Sequence, residues 1–181
     1  DYIIAVCLQA SDELISTLLA IWKSGAAYLP IDPSFPDARI KHILQEARPL
    51  MVLRDDDINS ERFGTTLNIS ISELKNRSQN YMNSNLDNQE LITGNKQHKL
   101  AIVLYTSGST GVPKGVRLSH EVILNRLEWQ WETFPYSQSE TVAVFKTALT
   151  FVDSVSELWA PLLSGLAVLV VPKCVTKNPE L

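Results

Sequence analysis

Short apolar runs alternate with segments of helical periodicity along the chain, and this alternation constrains the fold more than any other feature. Residues 2–8 form an apolar, partly β-branched run. Ser11 follows as a candidate N-cap, apolar residues then recur at helical spacing as far as Gly25, and residues 26–31 resume a strand pattern. Strands separated by helices are usually joined in parallel. The pattern therefore predicts an α/β fold with largely parallel sheets flanked by helices.

One segment of different composition interrupts this pattern. Residues 75–99 are rich in Asn, Gln and Ser and carry few apolar side chains, which is typical of an exposed loop. On either side of it, alternating strand and helix patterns predict two α/β segments. We therefore divide the chain into a first layer at residues 1–74, a polar loop at 75–99 and a second segment at 100–181.

Composition and charge exclude several classes of protein. The 181-residue chain has a net charge of -4 and no run of Lys and Arg, so we expect no nucleic-acid partner. No apolar run approaches the roughly 18 residues of a membrane span, so we expect no membrane association. Cys7 and Cys174 lie in apolar runs without metal-ligand spacing, and we interpret them as core cysteines of a reducing compartment, with no metal ligands assigned. Because the chain begins at Asp1 without an initiator Met, we interpret it as a piece of a longer protein.

A stretch rich in hydroxyls and glycines carries the strongest chemical signal, and it follows the apolar, strand-like run at residues 100–105. Glycines let backbone N–H groups approach an anion, hydroxyls donate further hydrogen bonds, and a lysine supplies positive charge. This composition suits a polyphosphate, although the pattern is neither a Walker A loop nor a GxGxxG turn. A flexible Ser/Gly surface loop is the alternative interpretation. The candidate phosphate-binding residues are Thr106, Ser107, Gly108, Ser109, Thr110, Gly111 and Lys114.

Three segments resemble motifs of one enzyme family. Residues 100–115, LAIVLYTSGSTGVPKG, resemble the AMP-binding signature of the adenylate-forming superfamily, which includes acyl-CoA synthetases, luciferases and peptide-synthetase adenylation domains. Residues 22–33, WKSGAAYLPIDP, are similar to a structural helix-to-strand motif of those adenylation domains. Residues 151–158, FVDSVSEL, resemble the segment that opens their amino-acid pocket. The resemblance implies that the chain is a partial adenylation domain, the leading part of its N-terminal large subdomain.

The resemblance also implies a reaction. A substrate carboxylate attacks the α-phosphorus of ATP, pyrophosphate leaves and an acyl-adenylate forms, with Mg²⁺ bound to the nucleotide. The loop residues hold the β- and γ-phosphates, and Thr106 and Lys114 are the implied catalytic residues. Such a transfer depends mainly on positioning and on neutralising phosphate charge. We therefore expect an ATP-dependent adenylate-forming ligase of the cytoplasm, of which this fragment alone is inactive.

The residues after Phe151 bear on the substrate. Family members that activate α-amino acids carry an aspartate directly after this phenylalanine, whereas this chain has Val152 there and Asp153 one place later. Consecutive residues on a helix are about 100° apart, so the carboxylate is aimed differently. The pair resembles β-alanine-activating domains, whose substrate ammonium lies one carbon further from the reacting carboxylate. Asp153, Val152 and Ser156 are the candidate substrate-binding residues, and a helix N-cap is the alternative role of Asp153.

The resemblance extends to partners outside this chain. It implies transfer of the activated β-alanine to a phosphopantetheine thiol on a carrier domain of the same parent chain, and then to a biogenic amine. The other expected partners are small molecules. Two alternatives stay open at this point. A fatty-acid or aryl acyl-CoA synthetase needs no ammonium partner, and a non-catalytic nucleotide-binding module would keep the loop without the reaction.

Overall fold

The computed structural model describes residues 1–81, 84–86, 100–106 and 113–176. The strands are β1 (Ile3–Cys7), β2 (Ala27–Pro30), β3 (Met51–Arg54), β4 (Asn68–Ser70), β5 (Leu100–Thr106), β6 (Lys114–Ser119), β7 (Val142–Phe145) and β8 (Ala167–Val170). The helices are α1 (Asp12–Lys23), α2 (Asp37–Ala47), α3 (Ile71–Ser78), α4 (His120–Thr133), α5 (Asp153–Leu163) and α6 (Lys173–Thr176), with a 3-10 helix at Ser60–Phe63.

Within the described ranges the strands form two sheets. The main sheet has six strands in the order β4-β3-β1-β2-β5-β6, and β7 pairs with β8 in the second sheet. All neighbouring pairs are parallel except β5 and β6, which form an antiparallel hairpin. The predicted α/β fold with largely parallel sheets is therefore confirmed. Because parallel strands run in the same direction, the carboxyl ends of five strands lie along one side of the main sheet, which we call its carboxyl edge. These strands are β4, β3, β1, β2 and β5.

Helices α1 and α4 begin where the sequence offers a serine as a side-chain cap. The Ser11 hydroxyl accepts a hydrogen bond from the Leu14 N–H at 3.1 Å, which satisfies one exposed donor at the start of α1. Ser119 does the same for α4, accepting from the Val122 N–H at 3.2 Å. Gly25, with φ of 82°, lets the chain turn directly from α1 into β2. These local signals account for the confirmed starts of α1 and α4.

Both faces of the main sheet are buried at its parallel central strands β1, β2 and β5, as a parallel sheet requires. Alternate residues of β1 point to opposite sides, so Ile4 and Val6 join one apolar cluster and Ala5 and Cys7 join another. The first cluster contains residues of α1, α4 and α5, and the second contains residues of α2. Burial raises the pKa of the Cys7 thiol to about 12, as expected of a core cysteine.

An aromatic cluster joins α5 to the main sheet. The ring centroids of Trp22 on α1 and Trp159 on α5 lie 4.2 Å apart, and Trp22 also packs against Tyr28 of β2 at 5.5 Å. The indole N–H of Trp159 donates to the Tyr28 hydroxyl at 3.3 Å, and that of Trp22 donates to the Ala101 carbonyl of β5 at 2.9 Å. His120 contacts Trp22 edge-on at 5.2 Å, at the start of α4. This cluster, formed by Trp22, Tyr28 and Trp159, fixes α5 against the main sheet.

The structure differs from the sequence prediction in two places. Cys174 does not lie in a core strand: it is exposed on α6, because β8 ends before Pro172 and the Pro172 carbonyl accepts the first helical hydrogen bonds. Helix α3 continues to Ser78, into the segment predicted to be a loop from residue 75. The Ser70 hydroxyl caps this helix by accepting from the Glu73 N–H at 3.3 Å.

The predicted layers share one sheet, because β5 pairs with β2. Most of the predicted polar loop lies outside the described residues, and the division at residues 1–74, 75–99 and 100–181 stays a prediction. None of the helices in the described ranges has the length and apolar character needed to cross a membrane.

We expect Trp159→Ala to lower the free energy of unfolding by about 3–5 kcal/mol, because it opens a cavity in the aromatic cluster. The side chain is only 2% exposed. Trp129→Ala is the matched control, since Trp129 is 48% exposed and its loss should cost under about 1 kcal/mol. Urea titration followed by circular dichroism measures both values. Equal losses for the two variants would contradict a central role for the cluster.

Candidate active site

The predicted phosphate-binding residues that the structure describes lie at the end of the β5–β6 hairpin. Thr106 is the last residue of β5, and its cross-strand partner is Lys114, the first residue of β6. Both are exposed. Because β5 is parallel to β2, Thr106 lies at the carboxyl edge of the main sheet, where open α/β sheets bind ligands. Ser107, Gly108, Ser109, Thr110 and Gly111 lie outside the described residues.

The base of this hairpin is tightly packed. Gly115 lies opposite Tyr105, and a Cβ atom on Gly115 would lie only 3.1 Å from the tyrosine ring. Burial raises the pKa of Tyr105 to about 12. The hairpin therefore carries a hydroxyl and an ammonium group side by side on a packed base. This donor set fits the phosphate groups of a nucleotide.

The predicted substrate-binding residues lie at the start of α5. Val152 occupies the N-cap position without a side-chain cap, and Asp153 is the first helical residue. The alternative role of Asp153 as the N-cap is therefore wrong. Val152 and Asp153 are exposed, whereas Ser156 is half-buried and its hydroxyl accepts a hydrogen bond from Arg126 Nε at 3.5 Å. Asp153 and Ser156 are three residues apart and so share one side of the helix.

A carboxylate that the sequence analysis missed holds the chain between β7 and α5. Glu157 accepts hydrogen bonds from the backbone N–H groups of Lys146 and Thr147 and from the Thr147 hydroxyl, at 3.0, 2.8 and 2.7 Å. Partial burial of Glu157 disfavours its charged form, but these donors outweigh that cost and hold its pKa below the usual range. An acidic residue between the apolar residues Val155 and Leu158 was the only signal in the sequence.

A cavity of about 400 Å³ lies beside the β7–α5 connection. It opens at the carboxyl ends of β1, β2, β7 and β8, and its lining includes Asp32 and Lys173 but neither Thr106 nor Asp153. Lys173 Nζ lies 2.8 Å from Asp32 Oδ2. Partial burial opposes ionisation of Asp32, but its bonds from Lys173 and Ser34 outweigh burial and lower its pKa. This ion pair joins the two sheets across the cavity, and no local pattern in the sequence predicts it.

The chain belongs to the AMP-binding enzyme family, whose model matches residues 1–181. This finding confirms the predicted family, that of the adenylate-forming enzymes. The chain is 64% identical over 180 residues to the beta-alanyl-bioamine nonribosomal peptide synthetase ebony of Drosophila melanogaster, covering 99% of this chain and 20% of that protein. It is 33% identical over 184 aligned residues to a dimodular nonribosomal peptide synthase of Bacillus subtilis, covering 99% of this chain and 8% of that protein. The chain thus spans a fifth or less of these relatives.

Solved structures agree with this assignment. The N-terminal subdomain of Klebsiella oxytoca NpsA, in complex with 3-hydroxybenzoyl-AMSN, matches with a TM-score of 0.74 and 26% identity over 94% of this chain and 41% of that chain. The o-succinylbenzoate coenzyme A synthetase MenE of Bacillus subtilis, in complex with AMP, matches with a TM-score of 0.77 over 92% of this chain and 42% of that chain. At 17% identity, MenE shares the fold alone. The identities of 64% and 33% to nonribosomal peptide synthetases favour the peptide-synthetase type over an acyl-CoA synthetase.

Proposed function

We propose that this chain is part of a ligase that activates β-alanine as an acyl-adenylate, using ATP. The observation that carries the proposal is the position of Asp153, at the first residue of α5 and one place after Val152. The 64% identity to a protein named as a beta-alanyl-bioamine synthetase supports the same substrate. Val152 and Ser156 would contribute the adjacent surface of the pocket.

The proposed recognition is electrostatic. Within the described part of the chain, no basic side chain forms an ion pair with Asp153, so its carboxylate is available to a substrate ammonium. A rotation of about 100° separates Asp153 from the preceding position on the helix. This change of direction suits an ammonium separated from the reacting carboxylate by one more methylene group. Closure of the pocket by the rest of the domain would strengthen the interaction by excluding water.

The proposed chemistry takes place at the β5–β6 hairpin. A carboxylate oxygen of β-alanine forms a bond to the α-phosphorus of ATP, and the bond from that phosphorus to pyrophosphate breaks. Lys114 and Thr106 would hold the β- and γ-phosphates and offset the negative charge of the leaving pyrophosphate. Mg²⁺ bound with the nucleotide would neutralise further phosphate charge. Ser107, Gly108, Ser109, Thr110 and Gly111 would complete the phosphate site.

Later steps of the proposed function need parts beyond this chain. The β-alanyl group would pass from the adenylate to a phosphopantetheine thiol on a carrier domain of the parent protein, and then to a biogenic amine. The relatives named as nonribosomal peptide synthetases support a carrier domain. We place the protein in the cytoplasm, where ATP and reduced thiols are available.

We expect Asp153→Ala in the full-length protein to raise the KM for β-alanine on the order of 100-fold, because the ammonium loses its charged partner. The KM for ATP should change by less than about twofold, since the phosphate site is untouched. Glu121→Ala, which removes an exposed carboxylate at the start of α4, is the control. ATP–pyrophosphate exchange measures all of these constants. Equal exchange by the wild type with β-alanine and alanine would contradict the proposed substrate.

Lys114→Ala should lower kcat for exchange by about 100-fold or more, because the leaving pyrophosphate loses a positive charge. The KM for β-alanine should stay close to the wild-type value. Lys41→Ala, an exposed lysine on α2, is the control. If Lys114→Ala binds ATP as the wild type does and the wild-type parent protein catalyses no exchange, the chain is a non-catalytic nucleotide-binding module.

A further inference from the structure

Glu157 binds the first residues of the chain that leaves β7. Strand β7 ends at Phe145, whose carbonyl accepts a hydrogen bond from the Val171 N–H at 2.9 Å. The next two N–H groups, of Lys146 and Thr147, lie beyond the strand and both donate to Oε2 of Glu157. The Thr147 hydroxyl donates to Oε1 at 2.7 Å. One carboxylate on α5 therefore satisfies three donors in the preceding connection.

The other end of this connection is also bonded to α5. Ser154 is 1% exposed, and its hydroxyl donates to the Phe151 carbonyl at 2.6 Å and lies 3.4 Å from the Leu149 carbonyl. Residues 146–152 are thus bonded to the first two turns of α5 at both ends. Because the connection is held at both ends, the position of the start of α5 depends on the position of β7.

Helix geometry relates Glu157 to Asp153. Four residues separate them, which corresponds to about 6 Å along the axis and an offset of about 40° around it. The two carboxylates therefore lie on the same side of α5, one turn apart. Glu157 accepts hydrogen bonds from Lys146 and Thr147, the two residues that follow β7. These bonds restrict rotation of α5 about its own axis. The direction of Asp153 depends on that rotation.

We propose that Glu157 is a positioning residue, which fixes the rotation of α5 and so directs the Asp153 carboxylate towards the substrate ammonium. The inference rests on the proposed function, because it assigns Glu157 a role through Asp153. Phosphate binding at the hairpin is a separate part of the site. The role therefore predicts an effect on the amino-acid substrate and not on ATP.

A purely structural role would give different kinetics. If Glu157 only stabilised the fold, its loss would reduce the fraction of active enzyme and lower kcat, without selecting between the two substrates. A positioning role raises the KM for β-alanine while the KM for ATP stays the same. A conservative replacement that keeps an acceptor oxygen should also restore part of the wild-type behaviour.

The experiment compares four variants of the full-length protein by ATP–pyrophosphate exchange, with thermal melting as the measure of folding. Glu157→Ala should raise the KM for β-alanine about 10-fold or more, and change the KM for ATP by less than about twofold. Glu157→Gln and Thr147→Val should each raise the KM for β-alanine about threefold, since each variant retains some of the hydrogen bonds. Glu128→Ala, an exposed glutamate on α4, should match the wild type.

The outcomes separate this inference from the proposed function. A wild type that exchanges with β-alanine, beside Glu157 variants whose KM for β-alanine is unchanged, overturns the positioning role alone. Equal rises in both KM values, or no rescue by Gln relative to Ala, also overturn it. If Glu157→Ala does not fold, unchanged KM values in Glu157→Gln and Thr147→Val overturn the positioning role in its place. A wild type without β-alanine-dependent exchange overturns the proposed function itself.

Discussion

The packing of Trp159 against Trp22 and Tyr28 is the contact on which the arrangement of the candidate site depends. It joins helix α5 to the main parallel sheet, in an interior where the indole N–H of Trp159 finds a partner in the Tyr28 hydroxyl. Asp153 begins this helix, and Thr106 ends a strand of the sheet. The aromatic contact therefore sets the position of the proposed ammonium-binding group relative to the proposed phosphate site.

Two further interactions hold the second sheet, formed by β7 and β8, in place. The Glu157 carboxylate binds the chain as it leaves β7, and the ion pair of Lys173 with Asp32 joins the β8 end to the β2 end. Three hydrogen-bond donors hold the Glu157 carboxylate, and the Lys173 ammonium holds the Asp32 carboxylate. These partners offset the free-energy cost of partly burying each charge. Together they attach a small two-stranded sheet to the main sheet on the side where the carboxyl ends of the parallel strands meet.

Local signals explain what the sequence predicted correctly. Ser11 and Ser119 predict the starts of α1 and α4, because an N-cap side chain bonds to a backbone N–H only three residues away. The alternating strand and helix patterns indicate the α/β class. The sequence did not predict the ion pair of Lys173 with Asp32, because these residues are distant in the chain. It also did not predict the bonds of Glu157 to the residues that follow β7, because no local pattern indicates them. Cys174 was misplaced because an apolar run near a proline has the same local pattern in a strand and in a short helix.

The proposed substrate depends on the binding of the β-alanine ammonium by Asp153. A crystal structure of the complete adenylation domain with a non-hydrolysable β-alanyl-adenylate analogue would show this contact. We predict a distance of about 3 Å between an Asp153 carboxylate oxygen and the ammonium nitrogen, with the Glu157 hydrogen bonds intact. An ammonium bound by another carboxylate, with Asp153 beyond hydrogen-bonding distance, would contradict it.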